Sequence, residues 1–256
     1  MLSYSVQGNG EAVVLLHGFL ESSSMWQILK IENWPCKVIT IDLPGHGKSM
    51  DYIPEGEPSI LKMAIDVKQV LDYLSIAKFS VVGHSMGGYV ALELKAITNG
   101  CKSLILLNST FHEDSDQKKS ERLRVAEIAF LNKNLFIKEA IPRLFYKYST
   151  TDDSVKDLIA EANFITAESI SYASLAMRNR KNHLELVQQF KRQIFIIQGK
   201  HDLVINANQM KKDAEKFELN FIELDGTGHM THMEEPQKLK EILLDIFSLA
   251  DVYRKN

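Results

Sequence analysis

The sequence predicts an α/β fold in which a mostly parallel central sheet is flanked by helices. Several short apolar runs are continuous rather than alternating, and such runs are typical of strands buried on both faces of a parallel sheet. Segments with apolar residues at helical spacing lie between most of these runs, and this alternation favours right-handed crossovers within one sheet. The predicted strands are residues 12–16, 37–41, 79–82, 103–107, 193–198 and 220–224.

Four helices are predicted around these strands. An apolar stripe at i, i+3 and i+4 spacing runs through residues 60–74. Residues 86–98 and 207–217 fill two other gaps between strands, and residues 236–247 form a last helix that begins at a proline. These helices are expected to cover the two faces of the sheet.

The stretch from residue 111 to residue 190 contains no strand candidate. It carries several amphipathic segments instead, with Thr151-Asp152-Asp153 and Thr166 as candidate helix N-caps. We therefore predict that residues 1–110 and 191–256 form the core and that residues 111–190 form a helical cap inserted between two strands. Because helices inserted between two strands have to pack against another part of the fold, we expect them to cover the carboxyl ends of the strands. The alternative is a second helical layer without a function.

Composition excludes several classes of protein. The chain has 256 residues, 45% of them hydrophobic and 25% charged, and its net charge of -3 leaves no basic excess for binding nucleic acid. Cys36 and Cys101 have no spacing for a metal site or a disulfide framework and are expected to be core residues. No apolar run approaches about 18 residues, the length that spans a membrane. The first residues lack the basic and apolar regions of a secretory signal, so we expect a cytoplasmic protein.

The sequence Gly83-His84-Ser85-Met86-Gly87 follows a predicted strand and precedes a predicted helix. G-x-S-x-G in this context predicts a nucleophile elbow. The turn is so tight that residues two before and two after the serine must lack side chains. Ser85 then stands exposed at a helix N-terminus, whose dipole favours a nearby anion.

A nucleophilic serine needs a base, and the base needs an acid that orients it. Asp202 follows the strand at 193–198, and His229 follows the strand at 220–224. The chain order serine, aspartate, histidine is the order expected for a hydrolase triad. His232 is the other candidate for the base, whereas Asp202 taken alone would be read as a turn residue.

The loops after the first two predicted strands supply candidates for the rest of the site. His17-Gly18-Phe19 follows the first strand, and a backbone N–H there could form an oxyanion hole with the N–H of Met86. The imidazole of His17 is expected to pack in the loop rather than to act as an acid or base. The glycines of residues 42–49 lack Walker spacing, so this segment is interpreted as a tight structural loop near the site.

Taken in order, the segments HGF, DLPGHGKS, GHSMGG, GKHD and GHMTHMEEP resemble the α/β-hydrolase superfamily, in its cap-bearing branch of small esterases and carbon–carbon bond hydrolases. The resemblance runs from His17 to Pro236, and it implies the α/β-hydrolase fold. Only 16 residues precede His17, so the antiparallel strands that usually lead this fold are expected to be very short.

The resemblance also implies a site. Ser85 corresponds to the family's nucleophile, Asp202 to its acid and His229 to its base, since the family places the base directly after a glycine. The backbones of Phe19 and Met86 correspond to its oxyanion donors. No metal or cofactor is implied.

The expected activity is hydrolysis of a small carboxylic ester, or of a thioester or lactone, through an acyl-enzyme. The expected partner is a small ester-like molecule, without nucleic acid and without a membrane span. One alternative is a carbon–carbon bond hydrolase of a diketone-like ring-fission product, which would want a fixed cation such as Arg143, Arg178 or Arg180. The other alternative is a ligand receptor on the same fold.

Overall fold

The structure is a computed structural model, and it describes residues 1–252. Seven strands form a single sheet in the order β1-β3-β2-β4-β5-β6-β7. β1 is antiparallel to β3, and the pairs from β3 to β7 are parallel. The strands are β1 Tyr4–Gln7, β2 Ala12–Leu16, β3 Lys37–Ile41, β4 Phe79–His84, β5 Cys101–Leu107, β6 Ile194–Gly199 and β7 Asn220–Leu224.

Nine α-helices accompany the sheet within the part of the chain that is described. None of them is both long enough and apolar enough to cross a membrane. The helices are α1 Ile60–Tyr73, α2 Met86–Ile97, α3 Asp116–Ala140, α4 Asp153–Ala162, α5 Ala167–Arg178, α6 Leu184–Gln189, α7 Ala207–Phe217, α8 Thr231–Glu234 and α9 Pro236–Val252.

The predicted fold class is confirmed, because helices flank a mostly parallel sheet. All six predicted strands are present, with small differences at the ends of β4, β5 and β6. β1 was not predicted: its four residues are only half-buried or exposed, and they pair with the edge of the sheet. It is the antiparallel strand that leads the fold here, and it is as short as expected.

Successive residues of the central strands pack into different apolar clusters, which explains the continuous apolar runs. In β2, Val14 and Leu16 join the cluster that contains α1 and α2. Val13 and Leu15 point to the other face and join the cluster that contains α9. A strand covered in this way has no solvent face, so each position in it favours an apolar side chain.

Four helices, α3 to α6, and two short 3₁₀ turns lie between β5 and β6. α3 is interrupted at Asn132, whose backbone is not helical and whose side chain caps the second half by accepting from the N–H of Leu135. The inserted helices form an apolar cluster that also includes Leu20 and Met230. These two residues lie in loops after β2 and β7, so the insertion packs against the carboxyl end of the sheet. Its division from the core at residues 111–190 stays a prediction.

Candidate active site

Ser85 lies between β4 and α2 in an unusual backbone conformation, with φ 49° and ψ -113°. Two close backbone approaches explain the flanking glycines. A Cβ at Gly83 would lie 2.3 Å from the carbonyl oxygen of Gly87, and a Cβ at Gly87 would lie 2.4 Å from the carbonyl oxygen of Leu16. The N–H of Ser85 donates to the carbonyl of Leu107 at 3.0 Å, which ties the elbow to the neighbouring strand.

The structure brings the three predicted triad residues together. His229 Nε2 lies 2.9 Å from Ser85 Oγ, and His229 Nδ1 lies 2.8 Å from Asp202 Oδ2. A carboxylate can only accept, so Nδ1 carries the proton and Nε2 is free to accept from the serine hydroxyl. All three residues are buried, so the expectation that Ser85 stands exposed is wrong: the neighbouring loops cover the elbow.

The carboxylate of Asp202 is held by several donors. Its Oδ1 accepts from the backbone N–H groups of Val204 and Ile205, at 2.7 and 2.9 Å. Its Oδ2 accepts from Gln198 Nε2 at 2.9 Å and Asn108 Nδ2 at 3.0 Å. Burial alone would raise the pKa of Asp202, but the adjacent imidazole and these hydrogen bonds outweigh burial and lower the pKa below its ordinary value. The group therefore stays ionised when it is buried.

The backbone of His229 is held from two sides. Its N–H donates to the carbonyl of Leu144, in the inserted segment, at 2.8 Å. Its carbonyl accepts from Nε2 of His84, the residue before the elbow serine, at 2.9 Å. The position of this imidazole thus depends on the insertion and on β4 as well as on its own loop.

Residues 17–21 follow β2, and they are called here the oxyanion loop after the role predicted for Phe19. The loop lies beside the elbow because Leu16 pairs with Gly83 across β2 and β4. Its first residue, His17, accepts from the N–H of Leu43 at 2.9 Å through Nε2, so its Nδ1 donates to the carbonyl of Gly18 at 2.8 Å. Burial lowers the pKa of His17 and keeps it neutral. As expected, His17 packs in the loop, with both ring nitrogens used.

Phe19 and Met86 are the predicted oxyanion donors. Phe19 is in the oxyanion loop, and the next residue, Leu20, has a left-handed backbone with φ 66°. Met86 is the first residue of α2, where backbone N–H groups have no partner within the helix. Two N–H groups placed in this way could receive an oxyanion.

The loop after β3 is structural. Asp42 accepts from the backbone N–H groups of Ser23 and Lys48, at 2.8 and 3.0 Å. Gly47 has φ 51°, and a Cβ on it would lie 2.4 Å from Asp42 Oδ1. The acid and the glycine shape this turn together, which agrees with its interpretation as a tight structural loop.

Glu21 is a buried residue near the triad that sequence reasoning missed. Its Oε2 accepts from the N–H of Gly18 at 2.7 Å and lies 2.7 Å from His84 Nδ1. His232, the other candidate for the base, lies on the same side: its Nε2 is 3.5 Å from Glu21 Oε1, and burial lowers its pKa to about 3. It is thus placed against Glu21, whereas His229 is bonded to Ser85. Glu21, His84 and His232 are also the described residues whose ligand atoms, within 4.8 Å of one another, could hold a metal ion.

Glu234 is a second residue that the sequence did not single out. Its Oε1 accepts from the backbone N–H groups of Tyr146 and Lys147, each at 2.7 Å, and its Oε2 accepts from the N–H of Gly228 at 2.6 Å. One buried carboxylate therefore joins the inserted segment to the loop that carries His229. The signal for Glu234 in the sequence is its spacing, because this acid follows His229 of Gly228-His229 by five positions.

The three arginines considered as fixed cations are placed elsewhere. Arg180 donates to Asp114 Oδ1 at 2.7 Å, and its guanidinium lies over the ring of Tyr89. The side chain of Arg143 is 77% exposed, and Arg178 donates to Asn179. Arg180 and Arg178 are thus engaged with other residues, and Arg143 lies at the surface.

Known proteins resemble the chain over most of its length. An esterase from Thermogutta terrifontis superposes with a TM-score of 0.88 at 24% identity, covering 97% of this chain and 93% of that one. An enol-lactonase from Burkholderia xenovorans LB400 gives a TM-score of 0.81 at 21% identity, covering 96% of both chains. At these identities the likeness establishes the fold.

Two curated proteins are similar in sequence. The acetyltransferase component of an acetoin cleaving system from Pseudomonas putida is 25% identical over an alignment of 247 positions, which covers 92% of this chain but only 63% of that protein. A serine hydrolase-like protein from Danio rerio is 23% identical over an alignment of 269 positions, which covers 93% of this chain and 81% of that protein. The family described as alpha/beta hydrolase fold matches residues 11–236. The chain therefore belongs to this family and is an α/β hydrolase.

Proposed function

We propose that the protein hydrolyses small carboxylic esters with Ser85 as nucleophile, His229 as base and Asp202 as the orienting acid. One observation carries the proposal. An unbroken series of hydrogen bonds runs from Ser85 Oγ through both nitrogens of His229 to Asp202 Oδ2, at 2.9 and 2.8 Å. A nucleophile, a base and an orienting acid in this geometry are what acyl transfer requires.

In the acylation step, His229 Nε2 takes the hydroxyl proton as Ser85 Oγ attacks the ester carbonyl carbon. Asp202 keeps the second proton of the ring on Nδ1 and stabilises the imidazolium that forms. The same imidazolium then protonates the leaving alcohol, and an acyl group remains on Ser85. Water, deprotonated by His229, releases the acid in the second half of the reaction.

The carbonyl oxygen becomes negative in both halves of the reaction. The backbone N–H groups of Phe19 and Met86 receive this oxyanion, and one such donor is worth about 10²–10³ in kcat. The dipole of α2 adds to their effect because Met86 is at its N-terminus.

Apolar residues adjoin the reacting groups on both sides. Leu20 follows the proposed donor Phe19, Met230 follows His229, and both join the apolar cluster of the inserted helices. Apolar surroundings of this kind support an apolar acyl or alcohol group in the substrate. The structure offers less support for an acidic ring-fission product, since Arg180 is already paired with Asp114. The esterase and the enol-lactonase among the similar structures are in keeping with an ester, thioester or lactone substrate.

The test is a series of p-nitrophenyl esters of graded acyl length, together with labelling by a fluorophosphonate. We expect multiple turnovers and labelling at Ser85, and Ser85→Ala should lower kcat by about 10⁴ or more while the fold is retained. Ser120→Ala, an exposed serine on α3, is the matched control and should keep full activity. A wild-type protein that turns over no ester of the series, or that is labelled at another serine, contradicts the proposal. A receptor would stall after a single turnover.

A further inference from the structure

We propose that Glu21 and His84 form a buried ion pair that positions the oxyanion loop and the loop of His229 relative to Ser85. Both are positioning residues, since neither touches the reacting atoms. The inference rests on the proposed function, because it concerns the donors and the base assigned there.

Three separate parts of the chain meet at this pair. Glu21 lies in the oxyanion loop, His84 is the last residue of β4, and the carbonyl to which His84 Nε2 donates belongs to His229, after β7. A single oxygen of Glu21, Oε2, accepts at 2.7 Å both from the N–H of Gly18 and from His84 Nδ1. The side chains of Glu21 and His84 are only 3% and 1% exposed, so water does not replace these contacts.

The surroundings of His84 require a proton on each ring nitrogen. Nδ1 faces a carboxylate oxygen and Nε2 faces a carbonyl oxygen, and both oxygens can only accept. His84 is therefore an imidazolium that donates in two directions. Burial alone would lower the pKa of His84 and raise that of Glu21, but their mutual attraction outweighs burial, raising the first and holding the second at about 2.

Other titratable groups face the pair from each element around it. The imidazole of His229 is 5.1 Å from that of His84, between ring centres, and the imidazole of His232 is 4.9 Å from it. His232 is neutral, since burial lowers its pKa to about 3, and the charge of Asp202 acts on His84 from beyond His229. Glu21 balances the charge of His84, so the ion pair places little net charge beside the catalytic base.

An amide cannot replace the carboxylate of Glu21. In Glu21→Gln, the side-chain amide can turn its oxygen towards Gly18 and accept from the N–H of Gly18. A neutral His84 then has a single ring proton, which it can donate to residue 21 or to the carbonyl of His229 but not to both. If the amide turns its nitrogen towards Gly18 instead, it donates to His84, but it then faces the N–H of Gly18, which is also a donor. Either arrangement loses one of the two connections, although the change in shape is small.

The first experiment needs no variant. Nuclear magnetic resonance of the ring nitrogens should find His84 still doubly protonated in the pH range where an unperturbed histidine loses its proton. A His84 ring that is neutral within this range overturns the proposal. So does one zinc ion per chain bound at His84, because a ligating Nδ1 carries no proton.

The second experiment compares Glu21→Gln with Glu93→Gln. Glu93 is a matched control because it is also buried and paired with a histidine, His183, at 3.1 Å, but on α2 and away from the triad. In Glu21→Gln, we expect the amide of Gly18 to exchange with deuterium at least about tenfold faster. We also expect a trifluoromethyl ketone, whose adduct with Ser85 carries an oxyanion, to bind about 10²-fold more weakly while KM for esters changes little. Glu93→Gln should lose stability and keep both properties.

The outcomes separate the two hypotheses. The positioning role is overturned if Glu21→Gln binds the ketone as tightly as the wild type does, or if it loses no more affinity for the ketone than Glu93→Gln loses. A wild-type protein without esterase activity overturns the proposed function instead. In that case the protonation of His84 and the exchange rate of the Gly18 amide still decide whether the pair holds the two loops.

Discussion

At the scale of single residues, the elbow depends on backbone atoms that approach each other too closely for a side chain. A Cβ at Gly83 would meet the carbonyl oxygen of Gly87 at 2.3 Å and the nitrogen of Gly88 at 2.5 Å. These are backbone atoms in the first turn of α2, so they cannot move aside without moving Ser85.

We therefore expect Gly83→Ala to lower the free energy of unfolding by about 1–3 kcal/mol, as overpacking does, and to lower kcat by about 10²-fold through misplacement of Ser85. Gly56→Ala is the control: Gly56 has φ 73° in an exposed loop, and its replacement should cost stability alone. Urea denaturation and ester kinetics measure the two effects. A Gly83→Ala variant with normal kcat would show that the elbow tolerates a side chain there.

Asp202 and Asn108 meet beside the base and allow a second test. Asp202→Asn should lower kcat by about 10⁴, because a neutral amide does not hold the required tautomer of His229 or stabilise the imidazolium. The single-turnover rate of acylation with a p-nitrophenyl ester measures this loss. A rate that stays near normal would show that the hydrogen bond between His229 and Asp202 does not contribute to catalysis.

The double variant Asn108→Asp with Asp202→Asn should recover part of that rate. Asn108 follows β5, and its Nδ2 is 3.0 Å from Asp202 Oδ2, so a carboxylate there returns a negative charge to nearly the same place. Recovery should be incomplete, since a displacement near 1 Å can cost about 10²-fold. Asn108→Asp alone is the control, and its acylation rate should not exceed that of the wild type.

At the scale of elements, the sequence predicts those parts whose residues follow one local pattern. The continuous apolar strands β2 and β3 were predicted with the bounds that the structure has. β1 could not be predicted, because four half-buried residues at a sheet edge carry no burial pattern. The sequence of residues 141–148 looks amphipathic. In the structure they form a 3₁₀ turn at Ile141–Leu144 followed by irregular chain, in which the N–H of Tyr146 donates to Glu234. Such a contact stabilises an irregular conformation that the local sequence does not predict.

The same distinction applies to the candidate site. Ser85, Asp202 and His229 stand in recognisable motifs at the ends of strands, and the sequence predicts that they meet. Glu21 and Glu234 act through backbone groups and side chains that are far away in the chain, 63 positions in the case of His84 and Glu21. No local spacing encodes the contact of Glu21 with His84, whereas for Glu234 its distance from Gly228-His229 in the sequence is the one local signal.

Phe145 and Met177 test which inserted helices bear on catalysis. Met177, on α5, is fully buried in the cluster that contains α1 and α2. Phe145 packs in the cluster of the inserted helices, next to Leu144, whose carbonyl accepts from the N–H of His229. Both alanine variants should lose about 2–5 kcal/mol of stability.

We expect only Phe145→Ala to change the preference for acyl length and to lower kcat as well. Urea denaturation and the graded ester series measure the two effects at a temperature where both variants remain folded. Equal changes in ester preference for both variants, or none for Phe145→Ala, would contradict a role of the inserted helices in substrate choice.

At the scale of the whole molecule, burial of neutral histidines makes stability depend on pH in a defined direction. Burial lowers the pKa of His46 and of His232 to about 3 each. In the unfolded chain both titrate near about 6.5. Between these values the unfolded state binds protons that the folded state does not bind, so the free energy of unfolding falls as the pH is lowered.

The pair of His84 and Glu21 acts outside the upper part of the pH range between about 3 and about 6.5. His84 has a raised pKa, so its contribution is complete below about 6.5 and is lost as the pH rises through its folded value. Glu21 has a pKa lowered to about 2, so its contribution is complete above the ordinary value near 4.5 and is lost as the pH falls below it. From about pH 6.5 to about pH 4.5, the neutral histidines, with His17 among them, therefore lower the stability as the pH falls, and the raised pKa of Asp66 opposes part of this effect.

Each of these histidines should lower the free energy of unfolding by about 1.4 kcal/mol for each pH unit in that range. Urea denaturation at steps from about pH 7.5 to about pH 4.5 measures the slope, and His232→Gln should reduce it by the share of one histidine. A buried glutamine in that place carries no proton to gain, so its own cost is the same at every pH. A stability that stays flat down to about pH 4.5 would mean that the folded protein protonates these rings, and the interior around Glu21 would then be open to water.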